Sequence, residues 1–71
     1  MPADEALRIP RCRSVHTFGM RFPLDVIFLD AGGRPVRVAR EVPAWHVVSC
    51  RGADAVVETR AGEADRFLAS L

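Results

Sequence analysis

Apolar and polar positions follow a period of two through much of this chain, and the period predicts strands. The densest apolar run, LDVIFL at residues 24–29, is rich in β-branched and aromatic side chains and reads as the principal strand. Residues 30–35, DAGGRP, form the strongest turn signal, because adjacent glycines accept positive φ. Residues 36–42, VRVAREV, alternate and read as the returning strand. Closing that hairpin around Gly32-Gly33, or through a four-residue loop over 31–34, predicts Leu29 opposite Val36, Ile27 opposite Val38 and Asp25 opposite Arg40. The first two pairs then form a core face, and the opposite face, with Val26 and Phe28, needs its own cover.

The flanks are weaker. Residues 1–7 are short and polar enough to fray, with at most a helical turn over 3–7. Pro10 biases Ile9 to extended geometry, and residues 11–14 read as a strand end or loop. Thr17 and Gly19 suggest a turn that presents His16 and Met20. Pro43 ends the returning strand, and AWHVVSC at 44–50 predicts a further strand. Residues 51–54 connect it to a short strand, AVVET, at 55–59. Gly62 opens a helical ending in which Ala64, Phe67, Leu68 and Leu71 share one face. Together these predict one domain over 1–71, mainly β within the β-rich α+β class. Its architecture is a small antiparallel sheet or partly open barrel built on the 24–42 hairpin, with a short C-terminal helix.

Size and charge narrow the function classes. Seventy-one residues bury only about 60–65% of the surface their unfolded chain exposes, so a metal, a cross-link or a partner chain is worth seeking. The chain is 49% hydrophobic and 27% charged, a globular composition. A net charge of +1 gives no global field for nucleic acid or an anionic membrane. Arginines 34, 37 and 40 recur along one strand, but Asp25 offsets Arg40, so no phosphate-tracking stripe results. No export signal or membrane-length apolar run is visible, and two cysteines in that setting predict reduced thiols in a cytoplasmic protein.

Residues 15–30, VHTFGMRFPLDVIFLD, are followed by a glycine turn, a valine-rich strand, Val42-Pro43-Ala44-Trp45, and Val57-Glu58 with Ala61-Gly62. This arrangement resembles DUF192, also called UPF0127, a family of small prokaryotic proteins of unknown function. The resemblance runs from about Pro10 to Gly62. It implies a compact, mostly β domain with a short helical element and transfers no catalytic residues. Longer members carry an amino-terminal region rich in Gly, Leu and Met and a carboxy-terminal Gly-Asp segment that adds a strand. Both are missing here, so open sheet edges and a homodimer paired through one of them are expected.

Four groups of residues carry candidate chemistry. Cys12-x-x-x-His16 and His46-x-x-x-Cys50 are near mirror images of zinc-type ligands, although zinc motifs more often begin with two closely spaced cysteines. The same two cysteines also read as half-buried thiols or as a disulfide. Cys12 with His16 has the types for a nucleophile and base, without a third orienting group. Asp25 and Asp30 sit roughly 16 Å apart on opposite strand faces and cannot act as a pair. Asp25 instead pairs with Arg40 or with backbone donors, while Asp30 starts the turn. His16, Thr17, Met20, Arg21 and Asp25 form a candidate ligand-binding cluster at one end of the sheet, with Arg21 for a carboxylate or phosphate and His16 as a donor, although Met20 reads more simply as core filler and Arg21 as a solvated side chain. Trp45 after Pro43 reads either as an exposed anchor for a partner or, the favoured expectation, as a core residue. The resulting expectation is a non-enzymatic domain that binds a small ligand or a protein partner. The second is a zinc protein on Cys12, His16, His46 and Cys50, and the third a thiol hydrolase.

Overall fold

A computed structural model describes residues 5–71 and builds six strands and one helix. The strands are β1 (Ala6–Pro10), β2 (Ser14–His16), β3 (Leu24–Leu29), β4 (Pro35–Val42), β5 (Val47–Ser49) and β6 (Ala55–Arg60). The helix α1 is Ala64–Leu68. A four-stranded antiparallel sheet has the order β1-β6-β3-β4, and β2 pairs with β5 as a separate ribbon. The larger sheet is open, with β1 and β4 as its edges, so the architecture is the mainly β sheet and not the barrel.

Alternation along β3 sends side chains to two covered faces, which is why all six of its residues are buried. Val26 and Phe28 pack with Val56, Val15 and Val42 beneath the ribbon, where Cys12, Val48 and Cys50 complete the layer. Ile27 and Leu29 pack with Ala55, Val57 and Ala64 beneath the helix, joined by Phe67 and Leu68. The result is three layers, ribbon, sheet and helix. Each fully buried aliphatic or aromatic side chain contributes about 1.5–3 kcal/mol relative to exposure.

The hairpin forms as expected at its centre, with Ile27 opposite Val38, and departs at both ends. A register shift between Phe28 and Leu29 sets Leu29 against Pro35 rather than Val36, which is left half exposed. Asp30 closes the turn. Its Oδ1 accepts from the N–H groups of Gly32 and Arg34, both at 2.9 Å, and Gly33 takes the φ of 81° that the turn requires. At the other end Leu24 faces Val42 and Val26 faces Ala39, so two residues, Arg40 and Glu41, oppose Asp25 alone. This is a β-bulge, with Glu41 at φ 52°. Asp25 therefore does not pair with Arg40. Arg40 bonds Asp65 on the helix instead, at 2.8 Å, and both groups are exposed. That contact raises the Arg40 pKa and lowers that of Asp65, first through the hydrogen bond and then through charge attraction.

Three more expectations are corrected. Ala6 and Leu7 are neither frayed nor helical but lie in β1, because β6 would otherwise carry an unpaired edge; the rest of the 1–7 segment, up to residue 4, lies outside the described residues. The strand expected at 44–50 is confined to 47–49, since Trp45 has φ 65° and breaks the extended path. The helix stops at Leu68, which leaves Leu71 exposed.

Candidate functional site

Thr17 organises the surface that stands out. It follows β2 directly and is fully buried. Its hydroxyl donates to the Pro43 carbonyl oxygen at 2.7 Å and accepts from the His46 N–H at 3.0 Å. Its backbone N–H donates to the His46 carbonyl at 2.8 Å, and its own carbonyl accepts from Trp45 N–H at 3.1 Å. One threonine thus clamps the 43–46 turn to the end of β2. Replacing it with valine keeps the shape and removes the hydroxyl, leaving a buried donor and acceptor without partners. Thr17→Val is expected to cost about 2 kcal/mol in urea unfolding, while Thr17→Ser retains most of that stability. A cost within error of zero for Thr17→Val would show that the clamp does not hold the turn.

The clamp fixes Trp45 in an uncommon state. Its backbone lies in the left-handed region, at φ 65°, where a bulky residue costs about 1–2 kcal/mol. Its side chain, expected in the core, is 69% exposed. The physical reason is the reversal at 43–46, which turns the indole outward before β5 begins. Phe18, at the tip of the neighbouring turn, is 53% exposed and stacks on Trp45 with ring centroids 5.5 Å apart. His16 also lies against Phe18, with ring centroids 5.3 Å apart. Val47, opposite His16 in the ribbon, is 60% exposed. An aromatic and apolar patch of His16, Phe18, Trp45 and Val47 thus covers one end of the ribbon.

The expected five-residue cluster is only partly assembled. His16 is in the patch, while Met20 is half-buried and Arg21 exposed in the loop that follows. Thr17 and Asp25 are buried, with their polar atoms engaged by backbone. Asp25 Oδ1 accepts from Glu41 N–H at 2.8 Å, and Oδ2 accepts from Gly62 and Ala64 N–H at 2.9 and 3.1 Å. Asp25 borders a separate cavity of about 330 Å³ with Arg40, Glu41, Gly62 and Asp65, which none of the other four residues lines. Nearer to His16 is Glu58, whose half-buried carboxyl is held above its usual pKa by desolvation, an effect the His16 charge partly offsets.

The mirrored Cys/His pattern has a different origin. Ser14 faces Ser49, Val15 faces Val48 and His16 faces Val47, so the mirror is the signature of an antiparallel ribbon. The register is offset by one residue, and His16 does not face His46. Among the described residues no three His, Cys, Asp or Glu side chains come close enough to share a metal, so the zinc set is not gathered. Both cysteines are free thiols. The Cys12 thiol donates to the Ser14 carbonyl at 3.2 Å, and His16 is occupied by its contact with Phe18. The His46 Nδ1 lies 2.8 Å from the Ala44 carbonyl, which only accepts, so that nitrogen carries the proton.

Sequence reasoning missed Phe18 and Val47, and it misplaced Trp45. Gly19 after Phe18 was the available signal, since a tight turn pushes its preceding side chain outward. No local signal marks the positive φ of Trp45. Among the described residues no helix is long and apolar enough to cross a membrane. No curated protein and no solved structure matches the chain. The profile of one family does match, over residues 1–69, nearly the whole length. With the strand pattern, turn and Val-Pro-Ala-Trp segment now placed in one fold, the chain belongs to DUF192, described as Uncharacterized ACR.

Proposed function

We propose that this domain is a non-catalytic binding module whose His16–Phe18–Trp45–Val47 patch receives an apolar segment of a protein partner. The observation that carries the reading is Trp45, a bulky residue kept outward in a left-handed backbone conformation that favours glycine or asparagine. Backbone strain at an exposed tryptophan stabilises nothing in the domain itself. Tryptophan is also the side chain most enriched at binding hot spots, and Phe18 stacks beside it to enlarge the contact. A protein segment fits better than a small ligand, because all four residues are exposed and none of them lines the cavities beside Arg13, Cys12 or Asp25. Pairing of two copies through a sheet edge has less support. The β1 edge carries Arg8 and Pro10, and the β4 edge carries Pro35, Arg37 and a bulge, all of which oppose edge pairing.

Trp45 is the sole tryptophan, so intrinsic fluorescence reads the patch directly. Peptides selected by display on the wild-type domain are expected to be rich in aromatic and aliphatic residues and to shift its emission to the blue. Trp45→Asn removes the indole but suits the backbone, so its stability is expected within about 1 kcal/mol of wild type. The same change is expected to weaken the peptides about tenfold or more. Selected peptides that bind Trp45→Asn and Phe18→Ala as tightly as wild type would refute the proposal. An emission shift that depends on protein concentration alone would make the occupant a second copy.

A further inference from the structure

The opposite end of the same ribbon has a different chemistry. Beyond the Ser14–Ser49 pair the two chains stay joined, since Cys50 N–H donates to the Arg13 carbonyl at 2.9 Å. Arg13 and Arg51, next to that bond, both line a cavity of about 590 Å³ together with Ser14, Ser49 and Cys50. Arg13 borders a second recess, of about 240 Å³, with Arg11, Cys12, Ala53 and Asp54. Arg37 approaches from β4, where its guanidinium lies 5.8 Å from the Phe28 ring centroid and donates to the Ser49 carbonyl at 2.6 Å. Arg13 thus lines both recesses, with Arg51 in the first and Arg11 in the second, and Asp54 is the single acidic residue lining either, in a chain whose net charge is only +1. Among the described residues the sole ion pair is Arg40–Asp65, so Arg11, Arg13 and Arg51 have no carboxylate in contact.

We infer that this groove is an anion site for a small phosphate monoester. Guanidinium forks match phosphate oxygens in bidentate fashion, and the facing Ser14 and Ser49 hydroxyls supply neutral donors between them. The like charges of Arg11, Arg13 and Arg51 along these two adjoining recesses repel one another, and an anion relieves that repulsion. The cavity lies within the roughly 300–1,000 Å³ range of small-molecule sites, larger than phosphate alone requires, which leaves room for an organic group. Arg37 holds β5 from outside the cavity lining through its hydrogen bond to the Ser49 carbonyl, whereas Arg13 and Arg51 are the exposed groups that grip. This inference is independent of the aromatic patch, which lies at the His16 end.

Titration of the 71-residue chain with phenyl phosphate, ribose 5-phosphate, inorganic phosphate, sulfate and acetate at constant ionic strength tests it. Binding is followed by NMR of the arginine side-chain N–H signals. A second readout is the iodoacetamide alkylation rate of Cys50, resolved from Cys12 by peptide mass mapping. The monoesters are expected to bind at least tenfold tighter than acetate, to shift Arg13 and Arg51 signals, and to slow alkylation of Cys50 more than of Cys12. The Arg13→Gln/Arg51→Gln double variant changes only exposed groups and is expected to lose tenfold or more in affinity. Arg34→Gln, on the far turn, is the control and leaves binding unchanged. Inorganic phosphate binding as tightly as the esters would reduce the site to one for the free ion and overturn the monoester assignment. Equal losses in Arg34→Gln and the double variant, or equal binding of all five anions, would overturn the site altogether.

Discussion

Replacing Asp25 with alanine is expected to destabilise the domain by about 3–5 kcal/mol, a larger loss than Thr17→Val produces. Asp25 is 1% exposed and, among the described residues, forms no ion pair; its carboxylate is satisfied by three backbone N–H groups. Those donors come from separate places, Glu41 in the β4 bulge and Gly62 and Ala64 at the start of the helix. The side chain therefore ties β4, β3 and the 60–64 turn into one unit. Alanine leaves all three donors buried or half-buried without an acceptor. The conservative variant Asp25→Asn sharpens the test. An amide has one acceptor oxygen, so one of the two donor sets must face an NH2 group instead. Asp25→Asn is then expected to lose about 2–3 kcal/mol, most of the alanine effect. Urea unfolding of both variants measures it, and a loss below about 1 kcal/mol for alanine would mean that water replaces the carboxylate.

Phe28→Ala is expected to cost about 3–5 kcal/mol through lost burial and the cavity left behind. Phe28 is completely buried on the central strand, beneath the ribbon and against Val26, Val56 and Val15. A chain of this length has a total stability of roughly 4–10 kcal/mol. Either substitution alone therefore removes roughly a third of it or more, and the two together, about 6–10 kcal/mol, use up most or all of it. Phe28→Leu keeps most of the volume and is expected to lose about 1–1.5 kcal/mol. Thermal unfolding followed by circular dichroism checks the pair. Equal midpoints for Phe28→Ala and wild type would refute the assignment of that face as core.

The β3–β4 hairpin was legible because its signals are local: a β-branched run, a Gly-Gly turn and an aspartate that caps it. Its ends were not legible, because bulges respond to neighbours outside the hairpin. The shift opposite Asp25 exists where the carboxylate has donors to collect from Gly62 and Ala64, on the far side of β6 in the chain. Strand β1 was hidden for a related reason. ALRIP has little alternation of its own and is held by β6, near the other end of the sequence. Trp45 was placed inside because tryptophan carries the largest apolar surface, and that reasoning ignores backbone geometry. The Cys/His mirror was real in the sequence, but it reported strand pairing rather than ligation. Of the candidate binding cluster only His16 belongs to the aromatic patch.

The position of β6 has a consequence for how the molecule is made. It lies between β1 and β3 in the sheet yet is the last of the six strands in chain order. During synthesis the hairpin emerges first, with its β3 edge unpaired and apolar on both faces. Nothing can cover that edge until residues 55–60 have left the ribosome, and β1 has no partner until then either. Most contacts are therefore non-local, and the domain folds only once β6 is free. In the interval the nascent chain offers an exposed strand edge, the species that chaperones bind and that aggregates form from.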